Sequence, residues 1–188
     1  MQSDRVKLGF VGVGAMGQCA HLRNYCDLPV CDVVALAELR PKTGHAVAQR
    51  YGVERVYRSA EEMLASEPLD AIVASQPFDR HGVLLPQLLR AGKPIFIEKP
   101  LSSSPDAGQA ILGAVQTSGT WVMVGYHKRS DPACAYALET IRELRNSGEL
   151  GRMTYIRILM PAGDWVAGGF TCLINKGDAA PPLEREAA

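Results

Sequence analysis

Short apolar runs alternate with helix-forming stretches through residues 6–147 of this chain. The apolar runs contain few polar residues, which is typical of parallel strands whose two faces are both covered. They predict strands at Val6–Val11, Asp32–Leu39, Val56–Tyr57, Asp70–Ser75, Pro94–Ile97 and Trp121–Gly125. Arg152–Met160 follows as a further predicted strand, and its alternation from Tyr155 onwards predicts one solvated or ligand-facing side.

Helix start and stop signals fill the gaps between these strands. Ser59-Ala60-Glu61-Glu62 is a capping box, while prolines and glycines stand at the ends of other segments. Helices are predicted at about Gln18–Cys26, Pro41–Tyr51, Ser59–Ser66, Arg80–Ala91, Ser104–Thr117 and Asp131–Ser147. Pro86 requires the fourth helix to begin late or to kink. Repeated strand–helix units of this kind predict an α/β fold with a doubly wound parallel sheet.

A glycine motif, Gly12-Val13-Gly14-Ala15-Met16-Gly17, joins the first predicted strand to the first predicted helix. Gly12 allows the tight turn, Gly14 removes a side chain where phosphates approach the backbone, and Gly17 lets the helix pack closely on the strand. The helix then directs free N–H groups at an anion. The motif predicts a dinucleotide pyrophosphate site that includes Ala15 and Met16.

An acidic residue stands where a dinucleotide site needs one. Glu38 ends the second predicted strand and lies 38 − 17 = 21 residues after Gly17, a spacing typical of the residue that binds a ribose hydroxyl. Its charge disfavours a 2′-phosphate, so NAD is the predicted cofactor. NADP stays open because Arg40 lies two residues further on and is able to stack on the adenine or to hold that phosphate.

Composition narrows the class of protein. The 188 residues contain 20 Lys plus Arg and 20 Asp plus Glu, so the charge balance gives no reason to expect nucleic acid or an anionic membrane as a partner. No apolar run is long enough to cross a bilayer, and the first residues do not resemble a secretory signal, which predicts a cytoplasmic protein. The 5 cysteines are expected to be reduced, and the 4 histidines show no metal-ligand spacing, so no metal site is predicted. His21 and His45 are expected at the surface.

Polar groups follow three successive predicted strands, at the sheet edge where open α/β sheets bind ligands. These groups are Ser75-Gln76-Pro77, Glu98-Lys99-Pro100 and Tyr126-His127-Lys128-Arg129. Lys99 directly follows a buried strand and is expected to be partly desolvated, which lowers a lysine's pKa and suits it to proton transfer. His127 is interpreted either as a structural imidazole or as a substrate-site group, and His81 either as a cofactor-lining or as a packing residue.

Three elements of the sequence carry a resemblance to a known family: the glycine motif, Ala91-Gly92-Lys93-Pro94 leading to Glu98-Lys99-Pro100, and Val124-Gly125-Tyr126-His127. Together they resemble the glucose–fructose oxidoreductase / inositol dehydrogenase / MocA family over about residues 5–170. The resemblance implies that Lys99 is the active-site lysine, that Glu98 lies beside the nicotinamide ribose, and that Tyr126 and Arg129 face the substrate. Ser75, Gln76, Pro77 and His81 match the segment that lines the nicotinamide end. The implied reaction is hydride transfer between NAD(P) and a carbinol carbon of a sugar, polyol or related small molecule.

The resemblance also implies a second, mixed-sheet domain that carries a further acid and a histidine. We therefore expect a Rossmann domain at 1–125 and the start of a substrate and oligomerisation domain at 126–188, with homo-oligomers where that domain is complete. Asn175–Ala188 is expected to be poorly ordered or to open a further domain. The alternative function is a nucleotide-binding regulatory or scaffold protein without turnover.

Overall fold

The computed structural model of the chain describes residues 5–159, 163 and 169–186. These residues form two compact units, one made of 5–125 with 169–186 and the other of 126–159 with 163. The first unit thus includes residues 169–186, while the predicted domain boundary stays a prediction. The role of residues 126–188 as the start of a substrate domain stays a prediction.

The first unit is built on a single parallel sheet. Its six strands are β1 (Val6–Val11), β2 (Cys31–Ala37), β3 (Arg55–Tyr57), β4 (Ala71–Ala74), β5 (Ile95–Glu98) and β6 (Val122–Gly125), in the order β3-β2-β1-β4-β5-β6. This is the strand order of a doubly wound nucleotide-binding sheet, with the reversal between β1 and β4. The predicted fold is confirmed.

Helices follow the strands in sequence. They are α1 (Arg23–Asp27, preceded by a π-helical turn at Gly17–Leu22), α2 (Pro41–Tyr51), α3 (Ala60–Ser66), α4 (His81–Leu89, preceded by a 3₁₀ turn at Phe78–Arg80) and α5 (Pro105–Ser118). α3 begins as its capping box predicts, with the Ser59 hydroxyl accepting a hydrogen bond from the Glu62 N–H at 3.1 Å. Pro86 lies inside α4 and not in its first turn.

Neighbouring residues of each strand point to opposite faces of the sheet. Helices cover both faces, so each face carries a buried core. One core contains Phe10, Leu36 and Val73 together with residues of α1 and α2. The other contains Val11, Ile72 and Ile97, which pack under α3, α4 and α5. The two cores explain why these strands are apolar throughout, and they fix the strand ends that carry the site.

The second unit contains a 3₁₀ turn at His127–Ser130 and α6 (Pro132–Ser147). Asp131 caps α6 by accepting a hydrogen bond from the Ala133 N–H at 2.9 Å. The predicted strand at Arg152–Met160 is wrong for the described part of that range, since residues 152–159 are neither helix nor strand and Met160 lies outside the described residues. An alternating segment needs a neighbour to complete its hydrogen bonds, and no described strand pairs with this one.

Residues 173–186, called the 173–186 segment below, follow a 3₁₀ turn at Phe170–Cys172. The expectation of poor order at Asn175–Ala188 is wrong for residues 175–186, since these make defined hydrogen bonds to the rest of the first unit, and residues 187 and 188 lie outside the described residues. The polar residues of the segment accept hydrogen bonds from N–H groups at the starts of α2 and α4, which are distant from the segment in the sequence. No helix among the described residues has the length and apolar character needed to cross a membrane.

Candidate dinucleotide site

The glycine motif forms the turn between β1 and the first helical residues. Gly12 has φ +87°, and a Cβ there would lie 2.5 Å from the Ser75 carbonyl oxygen and 2.1 Å from Gln76 Nε2. A Cβ on Gly17 would lie 2.7 Å from the carbonyl oxygen of Gly12. Gly12 and Gly17 are therefore required by close packing within the protein, as the sequence predicts.

Gly14 differs from these two glycines, since a Cβ built on it meets no atom within 4 Å. It instead lines an open cleft of about 480 Å³ together with Gly12, Glu38, Arg40 and Ser75. That volume lies within the range of small-molecule sites, roughly 300–1,000 Å³. Because residue 14 has no side chain, the space beside it is open to a ligand, and no neighbouring residue fills it. This fits the predicted pyrophosphate position.

Glu38 follows β2 and is nearly buried, at 6% exposure. Its Oε2 accepts a hydrogen bond from the Val13 N–H at 2.9 Å, and its Oε1 accepts from the Arg40 N–H at 3.0 Å. The Arg40 guanidinium donates to both carboxylate oxygens, from Nε at 2.8 Å and from Nη2 at 3.0 Å. Glu38 thus braces the glycine turn from inside the cleft.

These hydrogen bonds set the charge of the pair. Burial alone would raise the pKa of the Glu38 carboxyl, but the hydrogen bonds from Arg40 and Val13 outweigh it and hold the pKa below its usual value. The hydrogen bond to Glu38 in turn raises the pKa of Arg40. The cleft therefore presents an ionised carboxylate and a guanidinium side by side.

The residues after β4 form the next part of the cleft wall. Ser75, Gln76 and Pro77 line it, and Gln76 Oε1 accepts a hydrogen bond from Arg80 Nη1 at 2.7 Å. His81 is fully buried, with Nδ1 2.9 Å from the Pro100 carbonyl oxygen and Nε2 3.3 Å from that of Gln76. His81 therefore connects the loop after β4 to the loop after β5, as a packing residue does, and its assignment to the coenzyme site stays a prediction.

Glu98 and Lys99 occupy the end of β5 in different environments. Glu98 is half-buried and its Oε1 lies 2.5 Å from His21 Nε2, while its Oε2 accepts a hydrogen bond from the Lys99 N–H at 3.1 Å. The expectation that His21 lies free at the surface is wrong, because this contact and the ring of Phe96 enclose it. The Lys99 side chain is exposed, so its predicted desolvation is also wrong: the chain leaves the sheet immediately after Glu98.

The predicted substrate residues belong to the second unit. Tyr126, His127 and Arg129 are all exposed, and the Arg129 guanidinium lies 5.7 Å from the centroid of the Tyr126 ring. Ala15 and Met16 are both exposed at the start of the first helix. Sequence reasoning missed several residues of the cleft wall, namely Arg58, Arg80, Leu84, Ala180 and Leu183. Their only local signal is proximity to a strand end, and Ala180 and Leu183 have none.

The sheet order, the glycine turn and the carboxylate after β2 define a dinucleotide-binding domain of the doubly wound class. Residues 6–126 match the model of the oxidoreductase family with an NAD-binding Rossmann fold. The chain belongs to this family, the Gfo/Idh/MocA oxidoreductases, which confirms the resemblance found in the sequence.

Named relatives agree with this assignment. An inositol 2-dehydrogenase of Rubrobacter xylanophilus is 31% identical over 156 residues, covering 82% of this chain and 44% of that protein. The scyllo-inositol 2-dehydrogenase (NAD(+)) of Bacillus subtilis is 28% identical and covers 96% of this chain and 47% of its own length. The chain thus spans less than half the length of these curated relatives.

Solved structures show the same fold. A putative myo-inositol dehydrogenase from Sinorhizobium meliloti has a TM-score of 0.64 at 31% identity, covering 78% of this chain and 42% of its own. The scyllo-inositol dehydrogenase of Lactobacillus casei with bound NAD(H) and scyllo-inositol has a TM-score of 0.69 at 24% identity, covering 80% and 43%.

Proposed function

We propose that this chain binds NAD and serves an oxidoreductase that moves a hydride between the nicotinamide and a carbinol carbon of a polyol, with inositols as the first candidates. The observation that carries the proposal is the open cleft at Gly14, bounded by the ionised Glu38. The names of the inositol dehydrogenases above support the substrate class.

The proposed coenzyme contacts follow from the groups that line the cleft and, for Glu98, from the family resemblance. The backbone at Gly12–Gly17 would hold the pyrophosphate, and Glu38 would accept hydrogen bonds from the adenosine ribose hydroxyls in place of those that it accepts from the Arg40 guanidinium. Ser75, Gln76 and Pro77 would line the path towards the nicotinamide, and Glu98 would bind the nicotinamide ribose. NAD supplies the hydride acceptor when it is bound.

Lys99 is the proposed proton-transfer residue. Its backbone N–H is fixed by Glu98, and its side chain is exposed at the carboxyl end of β5, where a ligand bound at that sheet edge is within reach. A carbinol loses its hydroxyl proton as the hydride leaves. Only the neutral amine form of Lys99 takes this proton and becomes the ammonium, and general-base catalysis of this kind contributes typically about 10²–10⁴-fold to the rate.

The first experiment is a fluorescence titration of the chain with NADH and then with NADPH. Saturable binding with NADH preferred supports the proposal. A folded chain that binds neither coenzyme would overturn it, and tighter binding of NADPH would move the role of Glu38 to Arg40.

The second experiment separates catalysis from binding. With saturating NAD and a panel of inositols, Lys99→Met should lower kcat by about 10²-fold or more while NADH binding is retained. Lys93→Met is the matched control, because Lys93 precedes β5 and so lies at the opposite end of that strand. Unchanged turnover in Lys99→Met would remove Lys99 from the reaction. NADH binding without turnover on any polyol would favour the non-catalytic alternative.

A further inference from the structure

The 173–186 segment is held on the first unit at three places. Gln18, itself 1% exposed, bonds both backbone groups of Ile174: its Nε2 donates to the carbonyl oxygen at 3.0 Å, and its Oε1 accepts from the N–H at 2.9 Å. Asp178 accepts hydrogen bonds from the Lys42 N–H at 2.7 Å and from the Thr43 hydroxyl at 2.5 Å. This places Asp178 at the first turn of α2, immediately after Arg40.

The third attachment is at the start of α4. Glu186 accepts hydrogen bonds from the Gly82 N–H at 2.6 Å and the Ser103 N–H at 2.8 Å, and its own N–H donates to the Asp79 carbonyl oxygen at 2.6 Å. Arg80 Nε donates to the Glu184 carbonyl oxygen at 3.2 Å. The segment therefore passes from the helix that follows β2 to the helix that follows β4.

Between Asp178 and Glu186 the segment borders the dinucleotide cleft. Ala180 and Leu183 line the same cleft as Gly14, Glu38 and Arg40. About 480 Å³ stays open between these two sets of residues with the segment in place. The segment is therefore a wall of the cleft and does not fill it.

Resting on the proposed function, we propose that the 173–186 segment forms the outer wall of the adenosine half of the coenzyme site, with Leu183 as its apolar contact to the adenine. The ribose-binding position of Glu38 fixes which half of the dinucleotide this is. Adenine has apolar faces that gain from burial against hydrocarbon. Leu39 and Leu84 line the cleft beside the charged and polar side chains, and Leu183 adds apolar surface from the 173–186 segment.

The test compares two leucines of the same segment. Leu183→Asn removes the apolar contact inside the cleft, while Leu173→Asn makes the same change at a residue that is 40% exposed and does not line it. NADH and ADP-ribose are titrated by calorimetry into each variant and into the unaltered chain. Leu183→Asn should weaken both ligands by the same factor, about tenfold, because burial of one leucine side chain corresponds to roughly that ratio. Leu173→Asn should leave both affinities unchanged.

Three results overturn the wall assignment while leaving NAD binding intact: equal affinity in Leu183→Asn and the unaltered chain, tighter binding in Leu183→Asn, or a loss confined to NADH with ADP-ribose unaffected. If Leu183→Asn does not fold, Leu183→Ala removes the same contact without adding an amide and decides the question. An unaltered chain that binds neither ligand overturns the proposed function and this inference together.

Discussion

Arg40 holds both carboxylate oxygens of Glu38, with Nε 2.8 Å from Oε1 and Nη2 3.0 Å from Oε2. The two side chains favour different coenzymes. A carboxylate such as that of Glu38 accepts ribose hydroxyls and repels a 2′-phosphate, which favours NAD, whereas a guanidinium such as that of Arg40 attracts the 2′-phosphate of NADP. We therefore expect their ion pair to govern the balance between NAD and NADP.

Glu38→Ala should shift the ratio of NADH to NADPH affinity by about tenfold or more towards NADPH. A hydrogen bond to a charged group contributes roughly 1.5–3 kcal/mol, and 1.4 kcal/mol is tenfold in affinity. Coenzyme titrations of both ligands measure the ratio. Arg40→Ala is the opposing variant and should shift the ratio towards NADH; a ratio that moves in the same direction in both variants would contradict this account.

Gly12 and Gly14 should respond differently to the same substitution. Gly12→Ala introduces a side chain at positive φ and against the Ser75 carbonyl oxygen, so we expect it to lower the free energy of unfolding by about 1–3 kcal/mol. Gly14→Ala meets no neighbour and should change stability by less than about 0.5 kcal/mol, yet weaken NADH binding because its methyl group enters the cleft. Urea unfolding and coenzyme titration of both variants test this contrast. Equal loss of stability in the two variants would show that the open space beside Gly14 is misassigned.

Glu38 should also make stability depend on pH. Its pKa is lower in the folded chain than in the unfolded chain, so the unfolded state binds more protons as the pH falls. The contribution of Glu38 is therefore complete at neutral pH and is lost as acid takes the pH below the usual glutamate range towards the lowered folded pKa. Glu38→Gln should be less stable than the unaltered chain by about 1–3 kcal/mol at pH 7. The difference should shrink at acid pH, and a constant difference from pH 7 to the acid limit of folding would refute the linkage.

The cysteines should differ in their rates of alkylation. Burial raises the pKa of the Cys26 thiol to about 11, and burial raises the pKa values of Cys19 and Cys31 as well. Cys134 and Cys172 are exposed. Because the thiolate is the reactive form, iodoacetamide at pH 8 should label the two exposed cysteines first and Cys26 much more slowly. Peptide mass spectrometry gives the order, with the urea-unfolded chain as the control in which all sites react at similar rates.

Local sequence pattern was sufficient for the sheet and the glycine turn. Apolar runs of strand length, capping residues and glycines lie within a few residues of the structure they specify, so β1 to β6 were predicted with small errors in their bounds. Glu38 was identified because its distance from Gly17 follows from one strand–helix–strand unit.

The remaining features depend on contacts between residues distant in the chain. His21 meets Glu98 only because the helical turn at Gly17–Leu22 and the end of β5 converge in the folded domain, and nothing near either residue in the sequence indicates the other. Arg152–Met160 has the alternation of a strand, but hydrogen bonding also requires a neighbour, which the pattern does not provide. The polar composition of the 173–186 segment indicated poor order because composition does not show that Asp178 and Glu186 match the free N–H groups of two helices.

The double role of Glu38 limits how this protein can be re-engineered. The same carboxylate that would recognise the ribose also accepts a hydrogen bond from the Val13 N–H, so we expect an exchange of residue 38 to alter coenzyme choice and to remove a hydrogen bond that supports the glycine turn. A useful switch to NADP therefore needs a companion substitution that restores an acceptor for Val13. We expect a single substitution of Glu38 to change coenzyme specificity and to lower the stability of the fold. Combinatorial libraries should therefore vary residues 13, 38 and 40 together.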